Sequence, residues 1–218
     1  EAPKQLDELM VEIRDPRRLT VSERSAILER CRCANMALYV TALGEEPDKS
    51  IPRRIGEQLG LRQLDQNPGA DEDAITSLSV RSDASHSSYI PYTNRPLAWH
   101  TDGYYNAPDR QINAFILHCV RPAEDGGSNG LIDPDLLYIL LRELNPAHIR
   151  ALIHPEVMTI PANTTDGAEQ RPASVGPVFR RGPDDHLALR YTDRRRNVHW
   201  LEDVSTQAAV SALRRLLD

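Results

Sequence analysis

Apolar positions recur at two spacings along this chain, and the change from one to the other divides it. Leu6, Leu9, Met10 and Ile13 stand at helical spacing until Pro16, which predicts a short amphipathic helix. Thr20 and Glu23 form the T-x-x-E pattern of a capping box ahead of Ala26, Ile27 and Cys31, so a second helix starts near Thr20. Met36 to Val40 reads as a strand. Ser50 and Pro52 open a third helix carrying Ile51, Ile55 and Leu59, and Gly60 is placed to end it in a left-handed conformation. The first third is therefore helix-rich.

After residue 70 short runs of β-formers alternate with Pro, Gly, Asn and Asp. They predict strands at Ala74–Val80, Ile112–Val120, Glu156–Ile160, Val175–Arg180 and His186–Thr192. A helix interrupts them over Pro134–Leu144, with a continuation past Pro146, because Leu136, Leu137, Leu140, Leu141 and Leu144 make one apolar face. A last helix starts near Ser205 and carries Val210, Leu213, Leu216 and Leu217. There are no repeats, low-complexity tracts or linkers. The pattern implies one α+β domain whose strands fold as a jelly roll with helices packed outside.

Composition narrows the function classes. With 218 residues, 40% hydrophobic and 27% charged, the chain suits an ordinary soluble domain with a real core. A net charge of −6 offers no general basic surface, so nucleic acid is not an expected partner. No apolar run is long enough for a bilayer and no signal pattern opens the chain, so no membrane partner is expected. Cys31, Cys33 and Cys119 are odd in number and read as small core hydrophobes in a reducing, cytoplasmic setting. Oligomeric state is unreadable, and a homo-oligomer is compatible with the sequence.

The stretch that carries chemistry is Tyr92–Asn106, YTNRPLAWHTDGYYN. In an extended segment residues two apart share a side, so His100 and Asp102 can offer an imidazole nitrogen and a carboxylate oxygen to one point. Such a pair begins the two-His, one-carboxylate triad that holds Fe(II) with open positions. Alone, His-X-Asp is also what a surface salt bridge or turn produces. Asn94, Tyr104, Tyr105 and Asn106 flank the pair and can line a pocket, and the tyrosines read equally as rim or core residues with a hydrogen-bonded hydroxyl.

Trp99, His100, Thr101 and Asp102 resemble the strand end that supplies the first two iron ligands in the TauD/TfdA, taurine dioxygenase-like family of Fe(II)/2-oxoglutarate-dependent oxygenases. Further matches follow in order: Arg121 and Pro122, then Asp125, Gly126, Gly127, Ser128 and Asn129, then Leu131, Ile132 and Asp133. The late segment Leu189–Trp200 is similar to the family's strand and turn ahead of a helix. The resemblance runs from about residue 74 to the end. It implies a double-stranded β-helix (jelly roll, clavaminate synthase-like) with flanking helices, His100 and Asp102 as ligands of Fe(II), and 2-oxoglutarate as co-substrate. By position, 2-oxoglutarate contact falls to Asn129, with Ser128 second. Molecular oxygen and a small-molecule substrate are then the other partners, and a C–H bond is hydroxylated with succinate and CO2 as co-products. Asp102 stands where Gly or Ala would make room for halide, which favours hydroxylation over halogenation.

The family also needs a second His and an Arg on a strand beyond the helix that here starts near Ser205, so a C-terminal segment past Asp218 is expected. His199 is the rival third ligand. Val198 and Trp200 flank it in alternation, and turning them to the core sends His199 outward. Arg214 and Arg215 are read as solvated, His118 as a satisfied core or sheet-face residue, and His86, His148, His154 and His186 as surface residues. Of Arg190, Arg194, Arg195 and Arg196, Arg190 is the candidate attractor of an anionic substrate. A zinc-type hydrolase on the same ligands, and a non-catalytic jelly-roll binding protein with a vestigial site, are the competing readings.

Overall fold

The computed structural model describes residues 4–65, 74–81, 90–165, 168–182, 185–194 and 196–218, arranged as two units. His86 and Arg195 lie outside the described residues.

One unit comprises Glu1–Ile75 and Asn113–Leu136. Its first helix α1 is a single turn, Leu6–Leu9, and the chain then becomes strand β1, Met10–Glu12. This corrects the expected helix through Ile13. Leu9, Val11 and Ile13 are buried while Met10 is exposed, a period of two that overrides the helical spacing once a partner strand exists. That partner is β2, Leu38–Val40, which pairs in parallel with Met10 opposite Leu38 and Glu12 opposite Val40. Between them runs α2, Val21–Ala34, the crossover that parallel strands require.

Helix α2 begins as expected. Thr20 Oγ1 accepts from the Glu23 amide at 3.2 Å and Glu23 Oε2 accepts from the Thr20 amide at 2.6 Å, so two otherwise orphaned donors are satisfied. A bond from the Arg14 amide, followed by those from the Thr20 amide and hydroxyl, holds the Glu23 carboxyl below its usual range. Asn35 ends α2 in a left-handed conformation. Helix α3, Ser50–Leu59, stops at Gly60 with φ of 91°, where a side chain would be strained. Val11, Ile13 and Ile27 form one core cluster of this unit with Tyr39, Leu59 and Cys31 against it. Cys33 and Cys119 are exposed, which corrects their assignment to the core.

Ile112–Val120 forms no strand ladder among the described residues, against expectation. Phe115 and Leu117 are 58% and 54% exposed, while Ile116 and His118, which alternate with them, are half-buried. The alternation is present, yet no neighbouring strand takes up its backbone groups. Ala74–Val80 likewise forms no strand.

The other unit comprises Thr76–Ile112 and Leu137–Asp218. Helix α4, Pro134–Leu144, has the predicted bounds, and α5, Pro146–Leu152, is a separate helix capped by Asn145, whose side chain accepts from the Ala147 amide. Strand β3, Met158–Ile160, is central in an antiparallel sheet, between β6, Ser174–Gly176, and β9, His199–Trp200. Two hairpins complete the strands: β4, Asn163–Thr165, with β5, Ala168–Arg171, and β7, Phe179–Arg181, with β8, Leu187–Leu189. The expected strand Val175–Arg180 is thus two strands in different sheets, because Pro177 lacks the amide that a continuous ladder would use. Helix α6, Val204–Leu217, is capped by Asp203 and packs on α5. Leu137, Leu141, Leu152, Val157, Met158, Val178, Phe179 and Leu213 are fully buried here. The architecture is α+β with small sheets. No helix of the described residues is long and apolar enough to cross a membrane.

Candidate metal centre

The segment bearing His100 is held by a second segment, Tyr191–Asp193, through backbone hydrogen bonds on either side of it. The Asp193 amide donates to Trp99 O at 2.8 Å, the Thr101 amide donates to Tyr191 O at 2.9 Å, and His100 faces Thr192 in an antiparallel bridge. Thr101 adds a side-chain clasp, its Oγ1 accepting from the Tyr191 amide at 3.1 Å. His100 therefore sits in fixed register, and Asp102 follows it at the start of a turn.

His100 Nδ1 lies 2.8 Å from Ala98 O. A carbonyl only accepts, so Nδ1 carries the hydrogen and the neutral ring keeps its lone pair on Nε2. Metal-binding histidines are oriented in this way. That lone pair faces Asp102, with Nε2 3.6 Å from Oδ1. Two ligand atoms each about 2.1 Å from one ion stand about 3 Å apart at right angles, so small side-chain adjustments suffice. The side chains are 28% and 51% exposed, open enough for a ligand to approach. The Asp102 carboxylate holds the imidazole above its ordinary pKa, with burial pulling the other way. This pair fits a divalent metal. Among the described residues no group of three His, Cys, Asp or Glu gathers to hold one.

The turn after Asp102 is built to be tight. Gly103 has φ of 63°, and a Cβ there would lie 2.6 Å from Ile112 Cγ1 and 2.8 Å from Asn106 Nδ2. Its carbonyl accepts from the Asn106 amide at 2.8 Å, closing the turn. Tyr104 and Tyr105 meet edge to face at 5.1 Å, and the Arg171 guanidinium lies over the Tyr105 ring.

Asn129 is exposed in the first unit, its side-chain amide donating to Gly127 O at 3.3 Å. Gly126 and Gly127 both have positive φ, which explains the pair of glycines. His118 stacks on Tyr39 and its Nδ1 lies 2.7 Å from the tyrosine hydroxyl, while its buried Nε2 has no partner among the described residues. His199 is exposed on β9 opposite Thr159, and Trp200 turns toward Tyr191. His154 and His186 are exposed and His148 is half-buried. Arg214 is not free in solvent: its Nε donates to Asp193 Oδ1 at 2.6 Å, and Tyr191 donates to the same carboxylate oxygen. Arg190 is not available to an anion either, because protein carbonyls use its donors, and burial beside Arg171 and Arg180 brings its pKa down to about 10. Sequence reasoning missed the clasp by Thr101, Tyr191 and Thr192. Only the period-two pattern of the late strand pointed to it.

The chain matches the model of the taurine catabolism dioxygenase TauD, TfdA family over residues 7–218. It is similar to a uridine-5'-phosphate dioxygenase from Streptomyces sp., 28% identical over 140 residues, which is 64% of this chain and 49% of that protein. It is also similar to a uridine-5'-phosphate dioxygenase from Amycolatopsis sp., 33% identical over 95 residues, which is 44% of this chain and 33% of that protein. The chain thus spans half or less of the length of these curated relatives. No solved structure matches it at the same level of significance.

Proposed function

Because this chain belongs to the TauD/TfdA family, whose dioxygenases use Fe(II) and 2-oxoglutarate, we propose that it hydroxylates a C–H bond of a small molecule, with succinate and CO2 as co-products. His100 and Asp102 serve as two of the iron ligands. The observation that carries this assignment is the His100 ring, tied at Nδ1 to Ala98 O and offering Nε2 beside the Asp102 carboxylate. Bound Fe(II) with 2-oxoglutarate supplies the oxidising power for the C–H bond, chemistry that no side chain has. The protein contributes placement. Thr101 and Thr192 fix the strand bearing the imidazole, and the tight Gly103 turn directs the carboxylate.

Family membership also supports reading the small sheets as parts of a jelly roll. Asn129 is assigned to 2-oxoglutarate on the resemblance alone. Both relatives are named for uridine 5'-phosphate, so a nucleoside 5'-monophosphate is the first substrate class to try. The family and both relatives are dioxygenases, which disfavours a hydrolase on the same ligands.

The test is anaerobic addition of Fe(II) and 2-oxoglutarate to the full-length protein, followed by visible absorption. A metal-to-ligand charge-transfer band is expected, and aerobic incubation with uridine 5'-monophosphate should release succinate. A protein that gives no band defeats the proposal. A band with no substrate-dependent succinate defeats only the nucleotide assignment.

A further inference from the structure

The guanidinium of Arg190 is where several segments of the second unit meet. Its Nε donates to Tyr104 O at 2.7 Å. One terminal nitrogen donates to Met158 O at 3.1 Å and Gly176 O at 3.3 Å, and the other to Ser174 O at 2.9 Å and Ser174 Oγ at 3.1 Å. A guanidinium has five N–H groups, and each here has an acceptor. Tyr104 stands two residues after Asp102, Met158 is on the central strand β3, and Ser174 and Gly176 are on β6. The side chain of Arg190 therefore ties the turn after the ligand pair to the three-stranded sheet. The backbone that follows it, Tyr191 to Asp193, holds the strand of the ligand pair itself.

Among the described residues, the Asp102 carboxylate makes an ion pair only with His100. Its direction thus depends on its backbone and on the turn from Gly103 to Asn106. Arg190 holds that turn at Tyr104 O, and Ser174 Oγ donates to Asn106 O at 3.2 Å. We propose that Arg190 is a positioning residue of the metal centre, which sets Asp102 relative to His100 by anchoring the turn between them and the sheet. The inference rests on the proposed metal function of the pair. Lysine cannot take over, because its three donors radiate from one atom and cannot reach acceptors spread around a planar fork.

Arg190→Lys and Arg190→Gln, made in the full-length protein, test this by two independent readings. In hydrogen exchange, amides of residues 101–106 are expected to exchange faster while those of α6 keep their protection. Fe(II) affinity is expected to fall at least about 10-fold, the scale of losing an outer partner of a metal ligand, although both ligands remain. Unchanged exchange in the turn, or iron affinity equal to wild type, overturns the proposal. Should the Arg190 variants not fold, Ser174→Ala keeps Arg190 but removes one acceptor and the donor to Asn106 O. It is expected to loosen the same amides and weaken iron a few-fold, and no change in either also overturns the proposal. Wild-type protein that binds no Fe(II) removes the metal function and with it the positioning role, whereas wild-type binding with unaffected variants removes Arg190 alone.

Discussion

Replacing Gly103 by Ala places a methyl group in the tightest part of the ligand turn. Two costs add. A residue with a Cβ at φ of 63° is left-handed, which costs roughly 1–2 kcal/mol. The added carbon would also lie 2.6 Å from Ile112 Cγ1 and 2.8 Å from Asn106 Nδ2. Asn106 cannot simply swing away, because its side-chain amide donates to Arg110 O at 2.9 Å. Forcing such a contact into packed surroundings costs about 1–3 kcal/mol, so the total is about 2–5 kcal/mol. That is a large part of the roughly 5–15 kcal/mol by which domains are stable. Gly44→Ala is the control: its φ is 69° but nothing lies within 4 Å of the new carbon, so only the backbone cost applies. Urea unfolding of both variants and the wild type separates the terms, and Gly103→Ala is expected to lose clearly more. Equal losses would refute the steric argument. Iron affinity should fall in Gly103→Ala and stay unchanged in Gly44→Ala, because only the first adjoins Asp102.

Three more outcomes are expected. His100→Ala and Asp102→Ala should each abolish iron binding in the full-length protein while circular dichroism stays native, since both side chains are partly exposed; stoichiometric iron in either variant rejects the assignment. His199→Ala should keep iron affinity within a few-fold in an anaerobic titration, because the residue is exposed on β9, whereas loss even of an outer partner costs roughly 10- to 100-fold. The Asp48 carboxyl is held down to about 2, first by hydrogen bonds from Ser50 and then by Arg17. Its unfolded value is about 3.9, so its stabilisation is complete above that pH and is lost as pH falls toward 2. Thermal midpoints between pH 2 and 5 should therefore fall less steeply in Asp48→Asn, and parallel curves would contradict the linkage.

What the sequence determined by itself is what neighbours along the chain can satisfy. The Thr20 and Glu23 capping box, the left-handed stop at Gly60 and the apolar face of Pro134–Leu144 are complete within a few residues, because helical hydrogen bonds and caps close locally. The nearness of His100 and Asp102 was legible as well, because the two stand only two residues apart. Strands needed partners that the sequence does not name. Met10–Glu12 became a strand because Leu38–Val40 offered a parallel ladder, whereas Ile112–Val120, better endowed with β-formers, has no ladder among the described residues. Arg190 shows the same limit at the site. Its charge suggested an anion, but its acceptors come from Tyr104, Met158, Ser174 and Gly176, and only the tertiary structure brings those carbonyls around one guanidinium. A buried donor takes whatever acceptors surround it, and those surroundings are set by the fold rather than by the residues on either side.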